Sequence, residues 1–243
     1  MSRVGRALAA LTALAAGFAA GAASAESGAV PKPLSQEWAD DPPKTEDTCE
    51  TSDDRYAMAP LFRIASAKTT DRVYLLARKQ ACTVGGCPHR RRSYLVPGDI
   101  VLAGPEDRGF RCVYFGSRRG ELIAGFVSAG NLTPVETETK LDRAFLLGPW
   151  RRDEASRLRI GPKGAVGVEV SGGGHWKGAA SVNTGEFRVE AETVTSPLIL
   201  KEEQDGCTVV IERRGPFLLL NDNSRCGGHN VRFVGIYIRQ ATR

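Results

Sequence analysis

The sequence predicts an all-β protein arranged as two consecutive β domains, and three observations carry that expectation. Helical periodicity is hard to find after the first fifty residues. Short β-branched and aromatic runs recur instead between Gly, Pro, Asn and Asp clusters, which is the spacing of sandwiches and barrels. A charged, less regular stretch, Glu136 to Asp142, divides these runs into two groups.

Residues 1–25 read as a secretory signal. Met1-Ser2-Arg3-Val4-Gly5-Arg6 is basic without an acid, Ala7 to Gly21 is apolar apart from Thr12, and Ala23-Ser24-Ala25 is the small-x-small pattern of a cleavage site. The apolar core is shorter than the roughly 20 residues a bilayer requires and is built largely from Ala, so no membrane span is expected after cleavage. No Cys lies near the cleavage point to take a lipid, and Arg3 and Arg6 are not adjacent. The expected compartment is periplasmic or extracellular. Removing Arg3 and Arg6 takes the formal charge from +5 to +3. That mild balance suits an anionic envelope polymer and falls short of a nucleic-acid-binding signature.

Residues 26–48 carry Pro31, Pro33, Pro42 and Pro43 among acids and small polar residues, and read as a disordered spacer. The first domain, 49–135, contains strand-like runs at Val73–Ala77, Asp99–Ala103, Phe110–Phe115, Leu122–Val127 and Leu132–Val135. After the 136–142 linker the second domain, 143–243, has runs at Leu158–Ile160, Val166–Val170, Phe187–Val194, Leu198–Lys201, Cys207–Glu212, Phe217–Leu220 and Val231–Ile238. Each domain has a length that can fold alone. In the last run both faces are apolar, so that strand is expected to be covered on both sides.

Six cysteines, an even number in an exported chain, predict disulfides. If pairing respects the domains, Cys207 joins Cys226. Cys49, Cys82, Cys87 and Cys112 allow three connectivities. The flexible Cys82-Thr83-Val84-Gly85-Gly86-Cys87 segment favours a local bridge, leaving Cys49 with Cys112.

Tyr94-Leu95-Val96-Pro97-Gly98-Asp99, then Gly109-Phe110-Arg111-Cys112-Val113-Tyr114, then Gly125-Phe126-Val127 with Leu132, resembles the bacterial SH3-like domain across about residues 55–135. The resemblance implies a small SH3-like barrel followed by a second β-barrel or β-sandwich domain. Phe126 stands where that family more often has Trp. Asp222-Asn223-Ser224-Arg225-Cys226-Gly227-Gly228-His229-Asn230-Val231-Arg232-Phe233-Val234-Gly235-Ile236-Tyr237-Ile238-Arg239 is similar to the DNxxCGGxNVxFxGxYxR tail of uncharacterised exported proteobacterial proteins, some of which resemble lysozyme-inhibitor families. Gly148-Pro149-Trp150 is similar to the opening of small barrel inhibitors and lipocalin-like proteins.

Few residues suggest chemistry. Cys226 and His229 share a turn, but the histidine follows the cysteine, unlike the S-H-G-C-x-R motif of a cell-wall cysteine peptidase or transpeptidase, and a disulfide half explains Cys226. Cys82, Cys87 and His89, or Cys207, Cys226 and His229, lack zinc-motif spacing. Asn221-Asp222-Asn223 lacks the acids and central Gly of a calcium loop. No metal or cofactor is expected. Ser171-Gly172-Gly173-Gly174-His175-Trp176-Lys177-Gly178 precedes no helix that could cradle a phosphate; it reads as a flexible loop presenting His175 and Trp176, or with Trp176 folded back as a barrel plug. Arg90, Arg91 and Arg92, with Arg118 and Arg119, form two basic runs expected in loops and able to share one edge.

The reading is therefore a non-catalytic, exported envelope protein whose SH3-like half binds peptidoglycan or an envelope protein, with Arg90, Arg91, Arg92, Arg118, Arg119, His175 and Trp176 as binding residues. The main alternative is an inhibitor that blocks a lysozyme or protease through the C-terminal barrel, and a third reading is a cell-wall cysteine peptidase or transpeptidase.

Overall fold

The computed structural model describes residues 30–33, 36, 49, 61–64 by backbone alone, 72–80, 83, 86–117, 119–136, 138–202 and 206–241. The expected signal and nearly all of the spacer lie outside them. The fold is all-β, in two antiparallel sheets.

The first sheet contains β1 (Leu61–Ile64), β2 (Val73–Leu76), β3 (Arg90–Leu95), β4 (Ile100–Asp107), β5 (Phe110–Gly116), β6 (Leu122–Ser128) and β7 (Leu132–Pro134), in the order β3-β2-β6-β5-β4-β1-β7. Its turns follow from sequence. Val96-Pro97-Gly98-Asp99 turns β3 into β4: Gly98 has φ 94°, the Asp99 amide donates to the Val96 carbonyl at 3.1 Å, and the Asp99 carboxylate accepts from the Val96 amide at 2.8 Å. Arg108 and Gly109, at φ 52° and 76°, form the two-residue turn between β4 and β5. Basic Arg90-Arg91-Arg92 was expected in a loop but lies on edge strand β3, whose alternate residues face water.

Alternation in this sheet separates two apolar faces. Leu75, Leu95, Val101, Ala103, Val113, Val127 and Leu132 pack together on one side. Leu76, Leu102, Cys112, Tyr114, Ala124 and Phe126 face the other way, and their partners come from the C-terminal half: Phe217, Leu219, Ile236 and Ile238. Burying each such Leu, Ile or Phe stabilises the fold by roughly 1.5–3 kcal/mol relative to exposure. The two sheets thus share one core layer, and neither half buries its apolar surface alone. Gly125 is required by close approach, since a Cβ there would sit 2.8 Å from Leu75 Cβ.

The second sheet follows a short helix, α1 (Arg143–Leu146), capped where the Asp142 carboxylate accepts from the Phe145 amide at 2.7 Å. Its strands are β8 (Gly148–Arg151), β9 (Ser156–Lys163), β10 (Gly167–Lys177), β11 (Val182–Ala191), β12 (Leu198–Lys201), β13 (Thr208–Arg214), β14 (Phe217–Asp222) and β15 (Gly235–Arg239). Each pairs with the next except across the β11–β12 seam, and β15 returns to pair with β8, giving an up-and-down, nearly closed barrel. Trp150, Leu158, Ile160, Val168, Val170, Phe187, Val189, Leu200, Val209, Leu218, Leu220 and Tyr237 belong to the core cluster that fills it.

Two expectations are corrected here. The Gly-rich run is not a flexible loop: Gly172 to Trp176 continue β10 in register with β11. Glycine is needed at Gly172 because a Cβ would collide with the Phe187 ring. The last strand begins at Gly235 and not at Val231; Val231 and Phe233 are buried in the barrel core from a loop outside the ladder. Its two-sided character is as expected, with Tyr237 in the barrel core and Ile236 and Ile238 against the first sheet.

Cys49 is bonded to Cys112 and Cys207 to Cys226. Cys87 is also disulfide-bonded, while Cys82, its expected partner, lies outside the described residues. The bridges are compatible with an oxidising compartment. Among the described residues no helix is long and apolar enough to cross a membrane.

Candidate functional site

Two surfaces collect the residues singled out by sequence. The first is the outer part of the seven-stranded sheet. Along β3 the exposed positions are Arg90, Arg92 and Tyr94, while Arg91 turns inward and donates to the Ala124 carbonyl at 3.1 Å and to the Cys49 carbonyl at 3.5 Å. Arg91 is therefore a structural tie. Tyr74 on β2 pairs directly with Tyr94 on β3, their rings 5.8 Å apart. The Arg72 guanidinium lies 4.3 Å over the Tyr94 ring and that of Arg90 4.4 Å over Tyr74. The result is a four-member ladder, Arg72–Tyr94–Tyr74–Arg90, with a cation at each end of a ring pair.

Stacking holds each guanidinium plane in place at about 0.5–1 kcal/mol per exposed contact, and leaves its N–H donors available for a carboxylate or phosphate. Among the described residues no carboxylate pairs with Arg72, Arg90 or Arg92. Arg119 is exposed on the β5–β6 turn, on a different hairpin, beside Gly120, whose carbonyl accepts from Gln240 at 2.9 Å. Arg118 lies outside the described residues. Sequence reasoning missed Arg72, Tyr74 and Tyr94, because their company depends on the β2–β3 register.

The second surface is one end of the barrel, formed by the tip of the β10–β11 hairpin and the loop between β14 and β15. Residues Asp222 to Phe233 build that loop. The buried Asp222 carboxylate accepts from the Phe233 amide at 2.7 Å, the Ser224 amide at 2.6 Å and Arg232 Nε at 3.3 Å. Asn223 Oδ1 accepts from the Thr208 amide at 3.1 Å, and its Nδ2 donates to the Gly206 carbonyl at 2.8 Å. The Cys207–Cys226 bridge pins the same segment. Gly227 and Gly228 then press against β11 so closely that a Cβ on Gly228 or on Gly185 would strike the opposing backbone. Asn183 Nδ2 donates to the His229 carbonyl at 2.7 Å. All three side chains of Asn221-Asp222-Asn223 are thus engaged in hydrogen bonds within the protein, that of Asn221 through Nδ2, which donates to the Lys32 carbonyl at 2.8 Å.

Between loop and hairpin lies an open groove of about 720 Å³ lined by Trp176, Ser224, Gly227, Gly228, His229, Asn230, Val231 and Arg232. Trp176 is 39% exposed and does not plug the barrel; Phe233 does, edge-on to Phe187 at 4.7 Å. His175, next along the strand, points to the other face of the hairpin and does not line the groove. Cys226, held in its disulfide, offers no thiolate to His229. Among the described residues no group of three His, Cys, Asp or Glu is placed to hold a metal ion.

The opposite end is sealed. Trp150 Nε1 donates to the Leu146 carbonyl at 2.8 Å, the Arg239 guanidinium stacks 4.6 Å over Trp150 and donates to the Phe145 and Leu147 carbonyls, and Arg213 lies 4.1 Å over Phe145. Partial burial lowers the Arg239 pKa from its ordinary value. No protein-family model, no curated protein and no solved structure matches the chain.

Proposed function

We propose that this is a non-catalytic, exported envelope-binding protein that holds peptidoglycan on the Arg–Tyr face of its N-terminal sheet. The observation that supports this reading is the Arg72–Tyr94–Tyr74–Arg90 ladder, continued by Arg92 along an edge strand. Guanidiniums held by stacking, with no carboxylate partner among the described residues, suit a polymer with repeated carboxylates, and phenol rings between them suit the apolar faces of its sugars. The resemblance to SH3-like domains and the signal-like N-terminus point to the same periplasmic or extracellular setting.

Because the two sheets share a core layer, the test uses the intact mature chain. It is sedimented with purified sacculi across a salt series. Retention should weaken with rising salt, and the Arg72→Ala/Arg90→Ala/Arg92→Ala variant should bind on the order of ten-fold more weakly. Equal retention of that variant would remove the ladder from the function. No retention of the unaltered chain would sink the wall-binding reading and bring forward enzyme inhibition by the barrel, seen as saturable one-to-one loss of lysozyme or protease activity.

A further inference from the structure

We infer that the groove at the open end of the barrel is a second, independent site, and that it takes a neutral saccharide stacked on Trp176.

The groove is rigid before any ligand arrives. One wall is the β10–β11 ladder; the other is a loop fastened by the Asp222 carboxylate, both functional ends of the Asn223 side chain, a disulfide and the Gly227–Gly228 contact with β11. Two of the three non-glycine residues with positive φ among those described, Ser224 at 62° and Asn230 at 65°, lie in this wall. Such conformations are held only where the surroundings enforce them, and they gather at ligand-binding segments. A wall already fixed removes much of the ordering cost of binding.

Its chemistry selects the ligand class. Trp176 supplies one partly exposed aromatic side chain, and Val231 adds little because it is 95% covered by its neighbours, being 5% exposed. The apolar barrel interior is closed off by Phe233, so among the described residues this groove opens into no apolar cavity for the anchoring side chain of a peptide. The remaining lining is hydrogen-bonding: the Ser224 hydroxyl, the Asn230 amide, the His229 ring and the terminal nitrogens of Arg232. Arg232 Nε is held by Asp222, which offsets its charge locally, and its side chain is 52% exposed. A polyanion therefore gains little here, in contrast to the Arg–Tyr ladder. A pyranose ring fits on both counts, with an apolar C–H face to set against an indole and a rim of hydroxyls to meet amide, imidazole and guanidinium groups. The volume falls in the range of small-ligand sites.

The test titrates the mature chain with an N-acetylglucosamine tetrasaccharide, following tryptophan emission and, in parallel, saturation-transfer NMR on the sugar. A saturable emission change is expected in the unaltered chain and in the Arg72→Ala/Arg90→Ala/Arg92→Ala variant. It should vanish in Trp176→Ala, whose circular dichroism should match the unaltered chain because the side chain is outside the core, and affinity should fall at least ten-fold in Arg232→Gln. An uncharged maltotetraose arm reports how far the site distinguishes sugars, and a galacturonate tetrasaccharide should bind no more tightly than either. Absence of saturation transfer from both neutral sugars overturns the inference, as does a titration unchanged by Trp176→Ala or a clear preference for the galacturonate. Loss of sacculus binding in the triple Arg variant with sugar binding intact separates this site from the proposed function.

Discussion

The two ends of the C-terminal barrel are closed by different means. At the α1 end, an indole, two guanidiniums and the last carbonyls of α1 satisfy one another, and little is left to offer a ligand. At the other end the chain uses a buried carboxylate, an asparagine and a disulfide to build a loop, and leaves an aromatic ring, an imidazole and a guanidinium facing a groove. Both ends keep water from the same filled interior. The difference separates sealing from binding: at the α1 end the stacked Arg239 also gives its donors to the Phe145 and Leu147 carbonyls, whereas the open-end loop is fastened mainly through Asp222, Asn223 and backbone amides, and Trp176 and the His229 ring line the groove.

That contrast can be broken most severely at the sealed end. Trp150→Ala removes a fully buried indole and should cost about 3–5 kcal/mol in denaturant unfolding, while leaving the emission of Trp176 in the native state unchanged. If Trp176 emission shifts as well, the two ends are not independent. Removing the bridge at the open end with Cys207→Ala/Cys226→Ala should cost about 3 kcal/mol by loop closure, and here sugar affinity should fall along with stability. Equal affinity in that variant would mean that the loop holds its shape without the bridge.

Tyr237 lies between the ends, its hydroxyl donating to the Phe233 carbonyl at 2.7 Å. Burial, aided by Asp153 and Asp222 and opposed by Arg152, raises its pKa well above the ordinary phenol range. The stabilising neutral form is therefore fully in place below about pH 10, and stability falls as pH rises from there toward the folded value, at about 1.4 kcal/mol per pH unit. Tyr237→Phe should cost about 1 kcal/mol at neutral pH through the lost hydrogen bond, and should flatten the alkaline limb of a melting-temperature profile. An unchanged limb would assign it to other groups. The smallest effect is expected outside the barrel. The Lys79 ammonium, 2.8 Å from the Asp107 carboxylate, holds the Asp107 pKa below its usual value. Its contribution is present above about pH 4 and lost as pH falls through the depressed value. Asp107→Asn should melt slightly below the unaltered chain at pH 7 and alongside it in strong acid.

Most strands were legible because burial on one or both sides demands β-branched and aromatic residues, as in Val209, Val210 and Ile211 of β13. Strand β3 was hidden by Arg90-Arg91-Arg92, since an edge strand needs only one face apolar and charge there also discourages pairing with another chain. The β10 extension was hidden by Gly172, Gly173 and Gly174; the missing side chain of Gly172 makes room for Phe187, and that of Gly174 for Phe233 and Val231. Val231 to Val234 misled in the opposite direction, because alternate burial also arises in a loop that drops every second side chain into a barrel mouth. Of the candidate sites, Trp176 was legible as an isolated aromatic. Its meeting with His229 and Arg232, more than fifty residues away, leaves no local periodicity to detect. The Cys207–Cys226 disulfide followed from parity and domain division, whereas Cys49–Cys112 also needed the flexible Cys82–Cys87 segment to favour one of three connectivities.

The core layer shared by the sheets also sets an order of events during synthesis. The first sheet is complete by Pro134, yet its outward apolar face waits for Phe217, Leu219, Ile236 and Ile238. A ribosome must add about a hundred further residues before the cover is complete at Ile238. Contacts so distant along the chain slow folding and prolong exposure of sticky intermediates. A nonsense codon or proteolytic cut ahead of β14 would therefore leave a pre-formed but uncovered sheet, ready to aggregate, so that the first half depends for its solubility on β14 and β15.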